Sequence, residues 1–526
     1  MTIKMPLEKI RAFGQNFEGD KKDWYYLGIV LSVSLSVKLF LLGILYSTPI
    51  NNDGILYINA ARQYALGNFS QGLRIYPMPA YPLLLALIHT MVQNWILSGF
   101  LISIMSMVLA LIPIYFLTKM IFNARAGFFA SLFFALIPKM NSWSLYIIRD
   151  PLFLLITLLC IYVALKAISR RSTALVAAGF ILAWAATLIR IEGVLFIVFY
   201  FFCLIYLAFF KKEHTRQYVA WSAAWAFIPI GLAMLVLLSS GVRSMAVNRF
   251  DYVSVEVMDL LRGGFLDKPL QIYKFLEEAG AHPPFYHGHN NFAALCRHFM
   301  PIIYMLGIVK ILIKILLPFS FIPIYFGFRG RFNFSGRFIL LLCFAFSGLA
   351  FYFLIKHDLI ATRYLMVPSC LLLPWLGAGI DILWSKAMDS KNKKIILILI
   401  FLIILTPAAK TFSLISARDS TTINAARWIS EKYGKKEVKI VSNSVKILFY
   451  IDLEVKDDSK IKSYYYDRRK TTRSIEEKAE EEAADLIVIR AETRKIDLVV
   501  IKTFGRIAAF SGRKHTILIY GKKEAD

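Results

Sequence analysis

The stretch Asn51-Asn52-Asp53-Gly54-Ile55-Leu56-Tyr57 directly follows the first long apolar segment of the chain, residues 25–47. A helix needs about 20 apolar residues to cross the hydrocarbon core of a bilayer, and this segment is long enough. The sequence therefore places a carboxylate, Asp53, just beyond the end of a membrane helix. The aromatic and small residues that follow predict another helix, so the stretch predicts a polar site at the membrane surface.

The composition of the whole chain indicates a polytopic membrane protein. Hydrophobic residues make up 58% of the sequence, whereas soluble globular proteins contain roughly 45–50%. The net charge of +26 could suggest nucleic acid, but the Lys and Arg residues lie mainly in short loops between apolar segments, where they set membrane topology. The lipid bilayer is the expected partner, and nucleic acid is not.

The cysteines and the N-terminal segment exclude other classes of protein. Four of the five cysteines lie inside apolar segments, and no CxxC spacing occurs, so neither a disulfide framework nor a cysteine metal site is expected. The first 24 residues are polar and basic, and the apolar segment Tyr25–Tyr46 is too long for a signal-peptide core. We expect it to be an uncleaved anchor.

The distribution of apolar segments predicts about eleven membrane-spanning helices. The run at residues 79–92 is too short to cross, so we interpret it as re-entrant or interfacial. The predicted spans are residues 25–47, 95–118, 126–139, 150–168, 174–190, 192–210, 219–240, 301–327, 337–355, 364–384 and 394–412.

The basic loops predict the orientation. With residues 79–92 left out of the count, the basic loops fall on the side of the basic N-terminus, which the positive-inside rule assigns to the cytoplasm. Asp53, the loops near Asp150 and Arg190, and the C-terminal part then lie outside. We therefore predict a cytoplasmic tail at residues 1–24 and a membrane domain at residues 25–412, with outer loops at residues 48–94 and 241–300.

From about Ser413 the composition becomes that of a soluble domain. Helix-like segments such as INAARWISEKYG and SIEEKAEEEAAD alternate with short apolar runs, VKIVSN, ADLIVIR and HTILIYG, which indicates an α/β domain over residues 413–526. The predicted fold class is therefore a polytopic α-helical membrane protein with a C-terminal, extracytoplasmic α/β domain. No internal repeat of the kind found in many transporters is evident.

Two interpretations of Asp53 are open from the residues alone. A carboxylate at the membrane surface suits a general base. Alternatively, Asn52 or Asp53 caps the helix that begins with GILYINAARQYALG, because such side chains satisfy free amide groups at a helix start.

Longer motifs around Asp53 resemble a known superfamily. The segment from Asp53 through Tyr57 to Tyr76-Pro77-Met78-Pro79-Ala80-Tyr81-Pro82-Leu83-Leu84 resembles the first extracytoplasmic loop of type C membrane glycosyltransferases. The most similar groups are the protein O-mannosyltransferases, the aminoarabinose transferases and the rhizobial-type glycosyltransferases. That resemblance implies Asp53 as the catalytic base, an inverting reaction and a polyprenyl-phosphate sugar as donor.

Further motifs follow in the order of the family. Asn123-Ala124-Arg125-Ala126-Gly127 is similar to its cytoplasmic turn, Arg149-Asp150-Pro151-Leu152-Phe153 to its second acidic outer motif, and Thr362-Arg363-Tyr364-Leu365-Met366-Val367-Pro368 to its Arg-Tyr segment. The resemblance covers roughly residues 25–385. Two features differ: many relatives have Asp-Glu in place of Asp53-Gly54, and the aminoarabinose transferases have a Lys in the stretch matching Ile75–Pro79.

Several cations are candidates for the donor phosphate, since transfer from such a donor needs positive charge near the leaving group. Arg363 is the first candidate because a guanidinium grips phosphate oxygens with two hydrogen bonds. Anchoring or snorkelling side chains are the alternative for this set. The other candidate cations are Lys356, Lys310 and Lys314, and Tyr364 is a further candidate for binding the phosphate.

A second set of residues is assigned to substrate binding. Asp150 is a second candidate catalytic carboxylate, with a surface ion pair to Arg149 and a helix cap as the alternative. For Arg190 and Glu192 we favour a structural pair, and three histidines lie within residues 282–289. A divalent metal there matches no standard spacing, so no cofactor is expected to be required. The substrate-binding candidates are Tyr57, Arg74, Tyr76, Tyr81, Arg149, Arg190, Glu192, His287 and His289.

The sequence thus predicts a hexosyl- or pentosyltransferase of a bacterial inner membrane that acts on a glycan, lipid or protein acceptor. A flippase of lipid-linked sugars is one alternative, because many spans and a basic cavity would also suffice. A non-catalytic scaffold with the same fold is the other, since fold alone does not give function.

Overall fold

The structure is a computed structural model of the chain. It describes residues 20–170, 172–210, 255, 258–281, 292–330, 333–357, 361–389, 391–434, 436–454, 461–467, 474–493, 501 and 503–522. The predicted span 219–240 and the histidine-bearing segment 282–291 lie outside the described residues.

The first part of the chain contains helices and no strands among its described residues. Its helices are α1 (Lys21–Leu45), α2 (Asn52–Ala65), α3 (Phe69–Ile75), α4 (Ala80–Val92), α5 (Trp95–Leu109), α6 (Leu111–Ile121), α7 (Ala124–Leu136), α8 (Pro138–Ser144), α9 (Asp150–Arg170), α10 (Thr173–Ile189) and α11 (Val194–Phe210).

Helices also build the middle of the chain. They are α12 (Asp267–Gly280), α13 (Phe292–His298), α14 (Met300–Leu316), α15 (Phe321–Phe328), α16 (Phe334–His357), α17 (Met366–Leu371), α18 (Leu373–Asp389) and α19 (Lys393–Phe412).

Small residues allow the central helices to touch backbone to backbone. A Cβ on Gly379 of α18 would lie 1.7 Å from the carbonyl oxygen of Pro323 in α15. On the other side, a Cβ on Gly377 would lie 2.3 Å from the carbonyl oxygen of Ala126 in α7. Close approach at small residues is how helices associate where lipid removes the hydrophobic driving force. Helix α18 is therefore the centre of the bundle.

Buried polar groups join the helices at their ends. Asp23 of α1 accepts hydrogen bonds of 2.6 Å from both Tyr115 Oη and Lys119 Nζ, and Asp381 pairs with Arg125. These contacts lie at the end of the bundle opposite Asp53. Arg125 belongs to the predicted turn motif, so that motif anchors α7 to α18.

A buried lysine ties α1 to two later helices. Lys38 Nζ donates to Ser34 Oγ at 2.8 Å and to Asn141 Oδ1 at 2.9 Å. Asn141 Nδ2 in turn lies 3.3 Å from Thr411 Oγ1 in α19. The three helices α1, α8 and α19 are thus held together by hydrogen bonds inside an otherwise apolar core.

The chain is an integral membrane protein by the length and composition of its helices. Five described helical segments are long and apolar enough to cross a membrane, or seven if each bent pair is one span. The predicted span 301–327 is instead interrupted where Leu317 adopts a φ of 71° between α14 and α15. Helix α4 has the short length expected for residues 79–92, and the total of about eleven spans stays a prediction.

The C-terminal part forms a five-stranded sheet with helices α20 (Thr421–Tyr433), α21 (Val445–Glu454) and α22 (Ile475–Glu481). The strands are β1 (Val438–Ser442), β2 (Ile461–Tyr465), β3 (Leu486–Glu492), β4 (Phe504–Ser511) and β5 (His515–Lys522), in the order β2-β1-β3-β5-β4. Strands β1, β2 and β3 are parallel, whereas β5 is antiparallel to both β3 and β4. The predicted fold class, a helical membrane protein with a C-terminal α/β domain, is confirmed.

The C-terminal domain packs against α2, the helix that carries Asp53. The amide of Ile50 donates to Tyr450 Oη at 3.1 Å, and Arg62 pairs with Asp452 at 2.6 Å. Tyr450 is buried, and burial raises the pKa of its hydroxyl to about 12. The phenol therefore stays neutral as it holds α21 against the membrane domain.

Candidate active site

Asp53 lies in the first turn of α2 and is paired with Arg363. Its Oδ2 atom accepts a hydrogen bond of 2.5 Å from Arg363 Nη1, and the two side chains are 39% and 34% exposed. The N-cap of α2 is Asn51, so the alternative in which Asp53 caps the helix is wrong. The carboxylate is instead open to solvent at the positive end of the helix dipole.

The loop before α9 is clamped onto the start of α2. Asn51 Nδ2 donates to the carbonyl of Ile147 at 3.2 Å, and the amide of Ile147 donates back to Asn51 Oδ1 at 3.0 Å. A Cβ on Gly54 would lie 2.9 Å from the Cβ of Ile147. Glycine after Asp53 therefore has a physical reason in this chain, because a larger residue would push the loop away.

Asp150, Arg190 and Glu192 form one buried ion network. Arg190 pairs with Asp150 and, at 2.5 Å, with Glu192, and its guanidinium lies 5.2 Å from the ring centre of Tyr364. The favoured structural pair of Arg190 with Glu192 is thus present, and Asp150 joins it. Asp150 is 4% exposed, so it is enclosed rather than set on a surface.

Arg149 has different contacts from the surface pair with Asp150 that the sequence allowed. Its Nη1 atom donates to the carbonyl of Ile189 at 3.1 Å, and its guanidinium lies 5.6 Å from the ring centre of Tyr76. Arg149 therefore joins the start of α9 to the end of α10 and to the segment before α4.

Three of the predicted substrate-binding tyrosines pack beneath Asp53. The ring of Tyr57 lies 4.8 Å from that of Tyr76 and 4.9 Å from that of Tyr81, both edge to face. All three are buried, and burial raises the pKa of Tyr57 far above its usual range. Tyr76 and Tyr81 thus pack against Tyr57 of α2 and hold that helix in place.

Two cavities meet at Arg363. The smaller, of about 30 Å³, contains Asp150, Arg190 and Glu192 together with apolar side chains of α16. The larger, of about 430 Å³, contains Asp53 and lies between the membrane domain and the C-terminal domain. Its lining residues are Asn51, Asn52, Asp53, Trp143, Tyr146, Ile148, Ala361, Thr362, Arg363, Lys446 and Arg490.

Other predicted cations have different surroundings. Lys356 Nζ pairs with Asp259 at 2.7 Å. Lys310 and Lys314 are exposed on α14, and Arg74 is exposed at the end of α3. None of these four lines either of the two cavities described above.

The predicted histidine cluster, with His287 and His289, lies outside the described residues. In the part of the chain that the structure describes, no group of three or more His, Cys, Asp or Glu side chains could hold a metal ion. The expectation that no cofactor is required therefore stays a prediction.

Sequence reasoning did not single out the two residues that the C-terminal domain contributes to the larger cavity. Lys446 and Arg490 line it together with Asp53. Lys446 follows strand β1 by four residues and Arg490 lies near the end of β3. The signal that was available is the rule that open α/β sheets bind ligands beyond the carboxyl ends of their parallel strands.

Comparison with protein families gives a match over part of the membrane domain. Residues 77–240 match the family described as dolichyl-phosphate-mannose-protein mannosyltransferase. A comparison with curated proteins finds no match.

Two solved structures share the architecture. The apo oligosaccharyltransferase of Archaeoglobus fulgidus is 14% identical, with a TM-score of 0.51 over 90% of this chain and 70% of that one. ArnT from Cupriavidus metallidurans, bound to undecaprenyl phosphate, is 10% identical, with a TM-score of 0.51 over 95% of this chain and 98% of that one. At such identities the likeness is one of fold. With the family match, it confirms the resemblance to type C membrane glycosyltransferases that the motifs indicate.

Proposed function

We propose that this chain, which resembles the type C membrane glycosyltransferases in sequence and in fold, transfers a sugar from a polyprenyl-phosphate donor to an acceptor hydroxyl. The observation that carries the proposal is the pair of Asp53 and Arg363 at the junction of the two cavities. A base for the acceptor and a cation for the leaving phosphate are the two groups that this reaction needs.

In the proposed reaction Asp53 takes the proton of the acceptor hydroxyl. The acceptor oxygen forms a bond to the anomeric carbon of the donor while the bond from that carbon to the phosphate oxygen breaks. The electron pair of the broken bond leaves on the polyprenyl phosphate, whose charge Arg363 stabilises. Attack on the face opposite the phosphate inverts the anomeric centre.

The ion pair between Asp53 and Arg363 in the protein without donor supports a mechanism in which donor binding comes before proton transfer. Arg363 holds Asp53 at 2.5 Å, and the donor phosphodiester, whose single negative charge is shared by two free oxygens, competes with the carboxylate for the guanidinium. Donor binding would therefore draw Arg363 toward the phosphate and free the carboxylate of Asp53. The base would become available only when the donor is in place.

The surroundings of Arg363 support opposite positions for donor and acceptor. On one side the small cavity is flanked by Phe346, Leu349 and Phe353 of α16, an apolar surface that suits an isoprenoid chain. On the other side the large cavity contains Asp53 and polar side chains, which suits the acceptor. The orientation we propose places this site and the C-terminal domain outside a bacterial inner membrane.

The proposal is tested with membranes that contain or lack the protein. Each is supplied with a panel of polyprenyl-phosphate monosaccharides that carry a labelled sugar, and labelled acceptor and released polyprenyl phosphate are both measured. We expect at least one donor to give labelled product and free polyprenyl phosphate in equal amounts. If labelled lipid changes leaflet without either product, the protein is a flippase; if no donor reacts or moves, the proposal is wrong.

A further inference from the structure

The C-terminal domain forms one wall of the large cavity and supplies two cations to it. Lys446 and Arg490 line the cavity from this domain, while Asp53 and Arg363 line it from the membrane domain. The proposed reaction uses Asp53 and Arg363 only. The positive charge on the opposite wall therefore needs a separate explanation.

The fold fixes both cations at one edge of the sheet. Strands β1 and β3 are parallel neighbours, so their carboxyl ends lie together, and ligands of open α/β sheets bind at such an edge. Asn443, directly after β1, joins the ends of β1 and β3. Its Nδ2 donates to the carbonyl of Arg490 at 3.2 Å, and its Oδ1 accepts from the Arg490 amide at 2.8 Å. Lys446 follows in the first turn of α21.

The charge balance of this edge is positive. Burial and the neighbouring Arg490 lower the pKa of Lys446, and Asp419 acts in the opposite direction. Burial likewise lowers the pKa of Arg490. Asp419 already accepts two hydrogen bonds on Oδ1, from the amide and the hydroxyl of Thr421. Asp419 acts on both Lys446 and Arg490, whereas a second carboxylate, Glu492, acts with Asp419 on the nearby His515, whose pKa burial lowers.

Arg490 also carries an enclosed donor without a partner. Its Nε atom is shielded from solvent and has no hydrogen bond within the described part of the chain. A buried donor that lacks a partner is costly, so a bound group that supplies an acceptor oxygen would stabilise this arrangement. A guanidinium favours oxygens of phosphate or carboxylate groups, which it binds with two parallel hydrogen bonds.

The C-terminal domain, which carries these cations, is held in a fixed position relative to Asp53. Helix α21, which carries Lys446, also carries two residues that contact the membrane domain by polar groups, Tyr450 and Asp452. Their partners are Ile50, just before α2, and Arg62, within α2. The same pair of helices therefore sets the separation between the base and the cations.

We propose that Lys446 and Arg490 bind an anionic group, phosphate or carboxylate, on the acceptor. This inference rests on the proposed function, since it names the class of acceptor for that site. The acceptor is favoured over the donor because the cations line the large cavity, which contains Asp53, and do not line the small cavity, which is flanked by the apolar surface suited to an isoprenoid chain. The acceptor would be held by its negative group while its hydroxyl reaches Asp53.

The test compares two probes on the purified full-length protein, inorganic phosphate and undecaprenyl phosphate. Equilibrium dissociation constants are measured for the wild type, for the double variant Lys446→Gln/Arg490→Gln and for Arg363→Gln. Lys462→Gln is the matched control, because Lys462 is 60% exposed on the edge strand β2 and does not line the cavity. Melting temperatures show which variants are folded.

We expect the double variant to bind inorganic phosphate at least about tenfold more weakly, because two charge-assisted contacts are lost. Its affinity for undecaprenyl phosphate should stay within about twofold of the wild type, as should both affinities of Lys462→Gln. Arg363→Gln should weaken undecaprenyl phosphate binding instead. If the double variant does not fold, Lys446→Gln alone and the charge-conserving Arg490→Lys are used, with smaller losses of phosphate affinity expected in the same direction.

Three results would overturn the inference. The first is a wild type that does not bind phosphate, and the second is a double variant that binds phosphate as tightly as the wild type. The third is a double variant that loses undecaprenyl phosphate, which would assign the two cations to the donor. Neither measurement needs sugar transfer, so a phosphate site at Lys446 and Arg490 could be established even if the proposed transfer activity were disproved.

Discussion

At the scale of single residues, the proposed mechanism depends on the ion pair between Asp53 and Arg363. In that proposal the donor phosphate draws Arg363 away, and the carboxylate of Asp53 then meets the acceptor hydroxyl. Both side chains are about one third exposed, so an entering donor can reach them without opening the protein.

Gly54 is the residue that decides how closely the loop before α9 approaches Asp53. Replacing Gly54 with Ala puts a methyl group 2.9 Å from the Cβ of Ile147. We expect Gly54→Ala to lower the free energy of unfolding by roughly 1–3 kcal/mol and to reduce sugar transfer, measured by thermal unfolding in detergent and by the transfer assay.

The control for that change is Gly43→Ala in α1, where nothing lies within 4 Å of an added Cβ. Alanine inside a helix is favoured over glycine, so this variant should be neutral or slightly more stable. Equal stability of the two variants would show that the loop does not press on Gly54.

The positive charge of Arg190 is expected to contribute strongly to the stability of the fold. Arg190→Gln leaves Asp150 and Glu192 buried without their cation, and removing one member of a buried pair costs roughly 3–5 kcal/mol. Thermal unfolding should show a large decrease in melting temperature.

Arg62→Gln is the matched control for Arg190→Gln. Its pair with Asp452 is 26% and 61% exposed, and such pairs contribute only about 0–1 kcal/mol. Equal decreases in melting temperature would contradict a buried network around Arg190.

At the scale of elements, helix α21 connects the two domains through Tyr450. Tyr450→Phe removes the acceptor of the Ile50 amide, and leaving a buried donor unpaired costs roughly 1–3 kcal/mol. We expect faster amide hydrogen exchange in residues 445–454, with α9 unchanged as an internal reference. In the control variant Asp452→Asn, which alters only an exposed pair, exchange in α21 should change little; the reverse ranking would disprove the role of Tyr450.

Elements with a clear period or composition could be predicted from the sequence, whereas others could not. The helix-like segment that predicts α20 and the short apolar runs that predict β1, β3 and β5 are clear, and the structure contains these elements. Helix α21 was missed because its short apolar run, VKILFYIDLE, fits a strand as well as a helix. The break at Leu317 does have a local signal, because Pro318 follows it and proline disfavours helical backbone at the preceding residue, but the positive φ of Leu317 itself has none.

In the candidate site, too, some features could be predicted from the sequence and others could not. Asp53 and Arg363 could be named because each lies in a motif with a chemical role. Their contact could not, because the two residues are 310 positions apart in the chain. Lys446 and Arg490 lie in no motif with a chemical role, so only the packing of the C-terminal domain against the membrane domain shows that they line the cavity.

At the scale of the whole molecule, the positive-inside rule predicts which side of the membrane each end occupies. In a background with Cys296→Ser, since the other cysteines are buried, single cysteines are placed at Lys462 and at Lys391. An impermeant maleimide should label Lys462→Cys on intact cells, and Lys391→Cys only after permeabilisation. The opposite pattern would place the site in the cytoplasm and contradict the proposed orientation.

The most direct test of the central claim is sugar transfer by Asp53→Asn with the productive donor, together with its affinity for undecaprenyl phosphate. Asparagine keeps the size of the side chain but cannot accept the proton, so transfer should decrease by at least about 100-fold while lipid binding and melting temperature are retained. Asp452→Asn, a carboxylate outside the cavity, should transfer at the wild-type rate. If Asp53→Asn is as active as the wild type, Asp53 is not the base and the proposed mechanism is wrong.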